Sequence, residues 1–362
     1  MEFKAVDDSQ IFTDSDTDSD PETHNVPVKS TLIIGKAGIG KSTYLLENYP
    51  DEDYLRTAFT GIAAARIEAK TISSLFALGP ECDRSVSLST NIMYRQKTHL
   101  ILREKKGIVI DEYYTLPKEV MDRVDEILQI MRNCPLPFGG MHLVLIGDNR
   151  QTASIGESFV GSPLYKTLTF TKIVLPYHDK MRLKKRYMKF CNKFRNPKIT
   201  AKEMIELLKD ERFAKEEVPG YTVYHQNKYV DQRNEDEMAK MTTDVIGTFY
   251  KTEYKKGCPI MITNNGPEVY NGMLGKLQGF DAKTKELEIE FEDYILETPI
   301  KGVKFVPAHA LTIHKAQCNS FPGINLYIDS SKLKRNRRDS IRLIYTALTR
   351  VRTFKKCYIG WL

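Results

Sequence analysis

The sequence predicts an α/β fold built on parallel sheets, and three short segments carry that expectation. Thr31-Leu-Ile-Ile runs into a glycine-rich loop and then a helical pattern through Glu47, which is how a strand-loop-helix unit of a parallel sheet begins. Gly107-Ile-Val-Ile ends at Asp111, and Leu143-Val-Leu-Ile ends at Gly147. Both are continuous apolar runs, the pattern of strands covered on both faces. Polar and acidic residues therefore stand at the carboxyl ends of strands, where sheets of this kind bind ligands.

Taken in order, the chain opens on an acidic segment. Residues 1–29 hold eight acids against Lys4 and Lys29, and Asp14-Ser-Asp-Thr-Asp-Ser-Asp has too few apolar groups to offset chain entropy. It reads as a disordered tail suited to a protein partner. That tail carries −6 of a net +7, so residues 30–362 carry +13, a balance that suits a polyanionic partner. With 41% hydrophobic residues in 362, the remainder can build two medium domains or one large one. The first is expected over 30–170 and the second over 171–362. Lys180 to Arg212 reads as basic helix just beyond the junction. A short insertion is expected at about 78–104 in the first domain. After Gly257 short strands return, with Asn271-Gly272 and Asp281 to Lys285 as turns, giving a small β-rich insertion at about 266–306 in the second.

Six scattered cysteines without a CxxC pair point away from disulfides and zinc and toward reduced thiols in the cytoplasm or nucleus. No apolar run approaches the roughly 20 residues of a membrane span, and the acidic N-terminus is unlike a signal peptide. No membrane partner is expected.

Gly35-Lys-Ala-Gly38-Ile-Gly40-Lys41-Ser42 fits the phosphate-binding loop pattern without mismatch, between an apolar strand and a helix. Its backbone amides, Gly35, Gly38 and Gly40 among them, would cradle phosphates together with the helix start at Ser42 and Thr43. Lys41 would neutralise the β and γ groups, and Ser42 would hold magnesium. Asp111 and Glu112 close the second apolar strand. Such a pair is often only a strand terminus, but downstream of a phosphate loop Asp111 suits a magnesium ligand and Glu112 a base for the attacking water. Gln151, in Gly147-Asp148-Asn-Arg-Gln, can hydrogen-bond a γ-phosphate or lytic water.

With these motifs in this order, the chain resembles a superfamily-one helicase of the RecD/Pif type. Further segments agree: Phe59-Thr60-Gly61, Thr71-Ile-Ser73-Ser74, Pro137-Phe138-Gly139-Gly140, Val269-Tyr-Asn271-Gly272, Ala310-Leu-Thr312-Ile-His314-Lys315-Ala-Gln317 and Tyr345-Thr-Ala-Leu-Thr349-Arg350. The resemblance spans roughly residues 31–355. It implies two RecA-like parallel-sheet domains, ATP and Mg2+ as cofactors, and nucleotide held between the domains. Lys41, Glu112, Gln151, Arg182 and Arg350 would be the catalytic residues, the two arginines acting on the γ-phosphate. Thr60, Gly61, Ser73, Ser74, Asn271, Thr312 and His314 would contact the nucleic-acid strand, and aromatic rings such as Phe76, Phe138 and Tyr270 are candidates for base stacking.

The resemblance favours a DNA helicase moving 5′ to 3′ on single-stranded DNA and at duplex junctions. An RNA helicase of the positive-strand RNA virus type, and a nucleic-acid-stimulated NTPase switch that does not unwind, are the rival readings. The small size suits a viral or mobile-element member, acting inside an infected cell.

Overall fold

The computed structural model describes residues 29–78, 103–152, 156–176, 182–266 and 268–362. The acidic tail through residue 28 and nearly all of the expected first-domain insertion lie outside the described residues. The described residues fall into two compact units: the second holds Thr60–Ala65, Arg150–Thr152 and the described part of Arg182–Leu362, and the first holds the other described residues.

The first unit has one parallel sheet made of β1 (Ser30–Ile34), β2 (Tyr54–Ala58), β3 (Lys70–Thr71), β4 (Gly107–Asp111), β5 (His142–Gly147) and β6 (Phe170–Val174). Their order across the sheet is β3-β2-β4-β5-β1-β6, every pair parallel. The helices in this part of the chain are α1 (Lys41–Asn48), α2 (Gly61–Arg66), which through Ala65 belongs to the second unit, α3 (Ile72–Phe76), α4 (Lys118–Arg132) and α5 (Pro163–Thr167). The α/β class and the parallel sheet agree with the expectation from sequence. β6 pairs with β1 from Ser30↔Phe170 to Ile34↔Val174, so the first unit extends past residue 170, and the second resumes at Arg182. The expected junction was too early because Phe170-Thr-Lys-Ile-Val is an edge strand of half-buried and exposed residues, without the apolar run that marks β4 and β5.

Helix α4 shows how sequence spacing builds this core. Val120, Met121, Val124, Ile127, Leu128 and Met131 recur at helical spacing and are buried against Ile108, Ile110, Leu143 and Leu145 of the sheet. Asn133, at φ 48°, ends the helix with its N–H on the Gln129 and Ile130 carbonyls. The chain then folds back through Pro137–Gly140, where Arg132 Nε donates to the Gly139 carbonyl at 2.8 Å. Phe138 is 0% exposed, edge-on to Phe159 with ring centroids 6.3 Å apart, and Phe76 is also buried. Both rings belong to the core, which removes them as stacking surfaces. Phe138→Ala is expected to cost about 3–5 kcal/mol in urea unfolding, whereas a base-stacking ring would lower strand affinity and leave stability unchanged.

At the opposite end of β5, His142 bridges two hydroxyls: Nε2 lies 2.8 Å from Thr31 Oγ1 and Nδ1 lies 3.3 Å from the Tyr54 hydroxyl. Burial, and secondarily the Lys29 charge, lower its pKa. Between the folded value and the ordinary value near 6.5 the unfolded chain binds more protons, so stability is full above that window and falls as pH drops through it. His142→Gln is expected to flatten the loss of melting temperature between neutral and mildly acidic pH. Curves that stay parallel for variant and parent would assign the loss to other groups.

The second unit has two sheets. One is parallel, in the order β15-β7-β16-β17, and the other antiparallel, in the order β13-β12-β11-β10-β14. In chain order the unit contains α6 (Lys185–Cys191), α7 (Ala201–Leu208), β7 (Tyr221–Tyr224), α8 (Asn227–Lys240), a two-stranded hairpin β8 (Val245–Phe249) and β9 (Thr252–Lys255), and β10 (Cys258–Ile262). Then follow β11 (Leu274–Asp281), β12 (Glu286–Glu290), β13 (Ile295–Pro299), β14 (Phe305–Pro307), β15 (Ala310–Thr312), α9 (Ile313–Ala316), β16 (Ile324–Ile328), α10 (Ser330–Arg335), α11 (Arg337–Leu348) and β17 (Cys357–Trp361). The β-rich segment is thus larger than the expected 266–306. β10 pairs antiparallel with both β11 and β14, which closes a five-stranded sheet over Ile260, Ile262, Leu277, Ile289 and Phe305. Strands were expected from Gly257 onward, but Cys258-Pro-Ile-Met-Ile does not alternate, so nothing in it showed that it would join the sheet of the insertion.

α8 buries only Val230 and Asn234, so polar contacts place it. Asn234 pairs with Ala310 of β15 in both directions, accepting from its N–H at 2.8 Å and donating to its carbonyl at 3.3 Å. Arg233 links Glu217 and Glu237, at 2.7 and 3.2 Å. Among the described residues no helix is long and apolar enough to cross a membrane.

Candidate functional site

The loop between β1 and α1 is built to leave space and backbone donors facing one point. Gly38 and Gly40 adopt φ values of 72° and 90°, conformations that cost other residues a clash. Gly40 is the N-cap of α1, and no side chain caps that end. At Gly35 a Cβ would lie 2.8 Å from Lys41 Cγ, so the loop closes over the lysine stem only because Gly35 has none. Lys41 is 8% exposed, and its Nζ reaches the Lys36 carbonyl at a long 3.5 Å. Ser42 is half-buried and Thr43 exposed. An uncapped helix start with a buried ammonium beside it is a site for phosphate.

β4 brings the carboxylates to the same place. Ser42 Oγ donates to Asp111 Oδ2 at 3.4 Å, and the Glu112 N–H donates to Asp111 Oδ1 at 2.8 Å. Glu112 turns the chain out of the strand at φ 53°, ψ 41°. Asp111 is 3% exposed, and its pKa stands well above the usual carboxylate range. Burial is the main cause and the Glu112 charge the next, while Lys41, the Glu112 N–H and Arg66 pull it down. A carboxylate held this way gains from a cation placed against it. Among the described residues no group of three or more His, Cys, Asp or Glu side chains could hold a metal. The donor set is one hydroxyl and one carboxylate, which suits magnesium that completes its shell with water and phosphate.

The remaining catalytic candidates meet inside the second unit. Gln151, 2% exposed, accepts from Arg350 Nη2 at 3.3 Å. Arg350 is 4% exposed and donates further to the Thr346 carbonyl at 2.9 Å, the Asn319 carbonyl at 3.3 Å and Thr349 Oγ1 at 3.0 Å. Arg182 also binds Thr349: its Nη2 donates to the Thr349 carbonyl at 2.7 Å and its Nη1 to Ser320 Oγ. Two arginines 168 positions apart thus converge on Thr349 and the Asn319-Ser320 turn. Thr349 stands in a segment that carries the resemblance but was given no role, and the Asn319-Ser320 turn had no sequence signal. Thr152 was likewise missed: it is buried and joins Thr346 and Gln317 through its N–H and hydroxyl.

Three of the strand-contact candidates also gather there. A Cβ on Gly61 would lie 2.9 Å from Tyr270 Cβ and 3.2 Å from the Asn271 nitrogen, so the α2 start and the Asn271-Gly272 turn are in backbone contact. Thr60 Oγ1 accepts from the Ala63 N–H at 3.4 Å and faces Cys318 Sγ at 3.8 Å. Asn271 is exposed and Tyr270 half-buried.

Ser73, Ser74, Thr312 and His314 belong to a device that both units repeat. β3 and β15 are each a short edge strand ending in a threonine that caps the next helix: Thr71 accepts from the Ser74 N–H at 3.2 Å, and Thr312 from the Lys315 N–H at 3.3 Å. Thr71-Ile-Ser73-Ser74 and Thr312-Ile-His314-Lys315 are therefore structural counterparts. Ser73 is half-buried while Ser74 and His314 are exposed, but Thr312 is buried and serves as the cap.

A family model for PIF1-like helicases matches residues 22–190. The chain is 22% identical to the ATP-dependent DNA helicase Pif1 of Bdellovibrio bacteriovorus, covering 92% of this chain and 84% of that one. It is 25% identical to the ATP-dependent DNA helicase PIF1 of Emericella nidulans over 73% of this chain, but spans only 41% of that relative. Among solved structures, a Bacteroides Pif1 helicase in complex with ADP-AlF3 and single-stranded DNA superposes with a TM-score of 0.67 at 20% identity, covering 92% of this chain and 88% of that one.

Proposed function

We propose that this chain, which matches the PIF1-like helicase family model over residues 22–190, is an ATP-dependent DNA helicase that moves along single-stranded DNA from 5′ to 3′. The observation that carries the reading is the meeting of Lys41, Ser42, Asp111 and Glu112 under the uncapped start of α1. Ser42 and Asp111 would hold Mg2+, whose charge offsets that of the β and γ phosphates. Lys41 binds those phosphates from the loop side. Glu112 orients the attacking water and takes its proton, a role for a carboxylate that is less buried than Asp111. Gln151 reads the γ-phosphate, and Arg182 and Arg350 stabilise the charge that develops on it. Thr60, Gly61, Asn271, Ser73, Ser74 and His314 hold the strand through hydroxyl, amide and imidazole groups, which grip a backbone without regard to base. Thr312 acts on the strand by fixing the helix start that presents His314.

The steady-state ATPase rate with no nucleic acid, with single-stranded DNA and with single-stranded RNA tests this. DNA is expected to stimulate hydrolysis far more than RNA, and duplexes with a 5′ single-stranded tail to be unwound in preference to those with a 3′ tail. Stimulation by RNA alone would transfer the motor to RNA. Stimulation by DNA without strand separation would leave a translocase or switch.

A further inference from the structure

The corner where α10 meets α11 carries Lys332, Arg335, Arg337, Arg338 and Arg342, and within residues 330–342 only Asp339 opposes them. Arg335, Arg337 and Arg338 are exposed, and Lys332 and Arg342 half-buried. Among the described residues none of the four arginines pairs with a carboxylate. Asp339 is engaged by the Asn336 side chain at the start of α11. The corner is also held rigid, with the Asn336 N–H on the Lys332 carbonyl at 3.1 Å and the buried Ser340 hydroxyl on the same carbonyl at 3.5 Å. Arg338 and Arg342 stand one turn apart on α11, a like-charge spacing that works against the helix. A fold that fixes so many unpaired cations in one place is complementary to a polyanion.

Position says which one. α9, the short helix that presents His314, packs directly against α11, and His314, Lys332 and Asp339 all lie close enough to act electrostatically on His225. We propose that this corner grips the phosphate backbone of the DNA strand where it continues beyond His314, extending the strand path across α10 and α11. Guanidinium forks suit phosphate oxygens, and contacts of this kind are indifferent to sequence. The proposal rests on the reading of His314 as a strand contact.

The test compares the full chain with the triple variant Arg335→Gln, Arg337→Gln, Arg338→Gln, measuring oligothymidylate affinity against salt for a short and a long oligonucleotide. Each phosphate-neutralising cation contributes about 0.7 to the slope of log K against log salt on single strands. The variant is expected to lose about 2 from the slope with the long oligonucleotide, to bind the short one as the parent does, and to keep its ATPase rate without DNA. Replacement of the same three residues by Lys should restore the slope, which a folding defect would not allow. Equal slopes for parent and triple variant overturn the proposal. So does a second pattern, in which neutralising Asp14, Asp16, Asp18 and Asp20 to Asn in the full chain raises affinity in the parent and not in the triple variant, since the corner would then hold the acidic tail. A parent that binds neither oligonucleotide would instead remove the strand reading itself.

Discussion

Lys41→Ala is expected to lower the ATP hydrolysis rate by at least about a hundredfold, the scale on which one buried electrostatic donor contributes to a charged transition state, while leaving the chain folded. The lysine is the first residue of α1 and is buried, and among the described residues its ammonium makes a long 3.5 Å hydrogen bond to the Lys36 carbonyl and no ion pair. Its ammonium is therefore held in place without being consumed by a carboxylate. Alanine is favourable in a helix, and the loop bends at Gly38 and Gly40 rather than at residue 41, so the melting temperature should hardly move. Two measurements decide the matter: the hydrolysis rate at saturating ATP and thermal unfolding without nucleotide. A variant that melts like the parent and hydrolyses within tenfold of it would take the loop out of the reaction.

The phosphate loop and the Asp111-Glu112 pair were legible because each is a local event. The glycine spacing, the apolar strand before it and the acids at a strand end all lie within a few residues of one another. Register then did the rest: β1 and β4 both flank β5, as parallel pairing of buried strands requires, and this sets Ser42 3.4 Å from Asp111. What the sequence hid was structure made by distant pairing. β6 and β10 carry no periodicity of their own, and only their partners make them strands. The repeat between the two units was likewise invisible, because it survives as a threonine cap and one isoleucine within segments that otherwise differ. Phe138 shows the converse difficulty, since an aromatic beside glycines can stack on a base or fill a core, and only its burial separates the two.

Arg350→Ala is expected to reduce kcat by about 10³, the lower end of what an arginine acting on a transferred phosphoryl group supplies, with nucleotide affinity much less affected. The geometry explains why this arginine, among so many cations in the second unit, should matter. Its guanidinium is fixed at Nε by the Thr346 carbonyl and at Nη1 by the Asn319 carbonyl, which sets the plane of the fork, and Nη2 is directed at Gln151 and Thr349. A side chain positioned by backbone carbonyls loses little freedom when a substrate arrives, so its charge can favour the transition state over the bound ground state. Truncation would also leave the Asn319 carbonyl short of a donor, at a cost of about 1–3 kcal/mol if no water enters, while the Thr346 carbonyl keeps the Thr349 hydroxyl at 2.9 Å. A fall in stability is therefore expected beside the fall in rate, and Arg350→Lys separates the two. Lysine keeps the charge and the volume but cannot form the planar fork. It should recover most of the stability and little of the rate. Recovery of rate together with stability would mean that Arg350 is structural and that Arg182, bound to the Thr349 carbonyl, carries the chemistry alone.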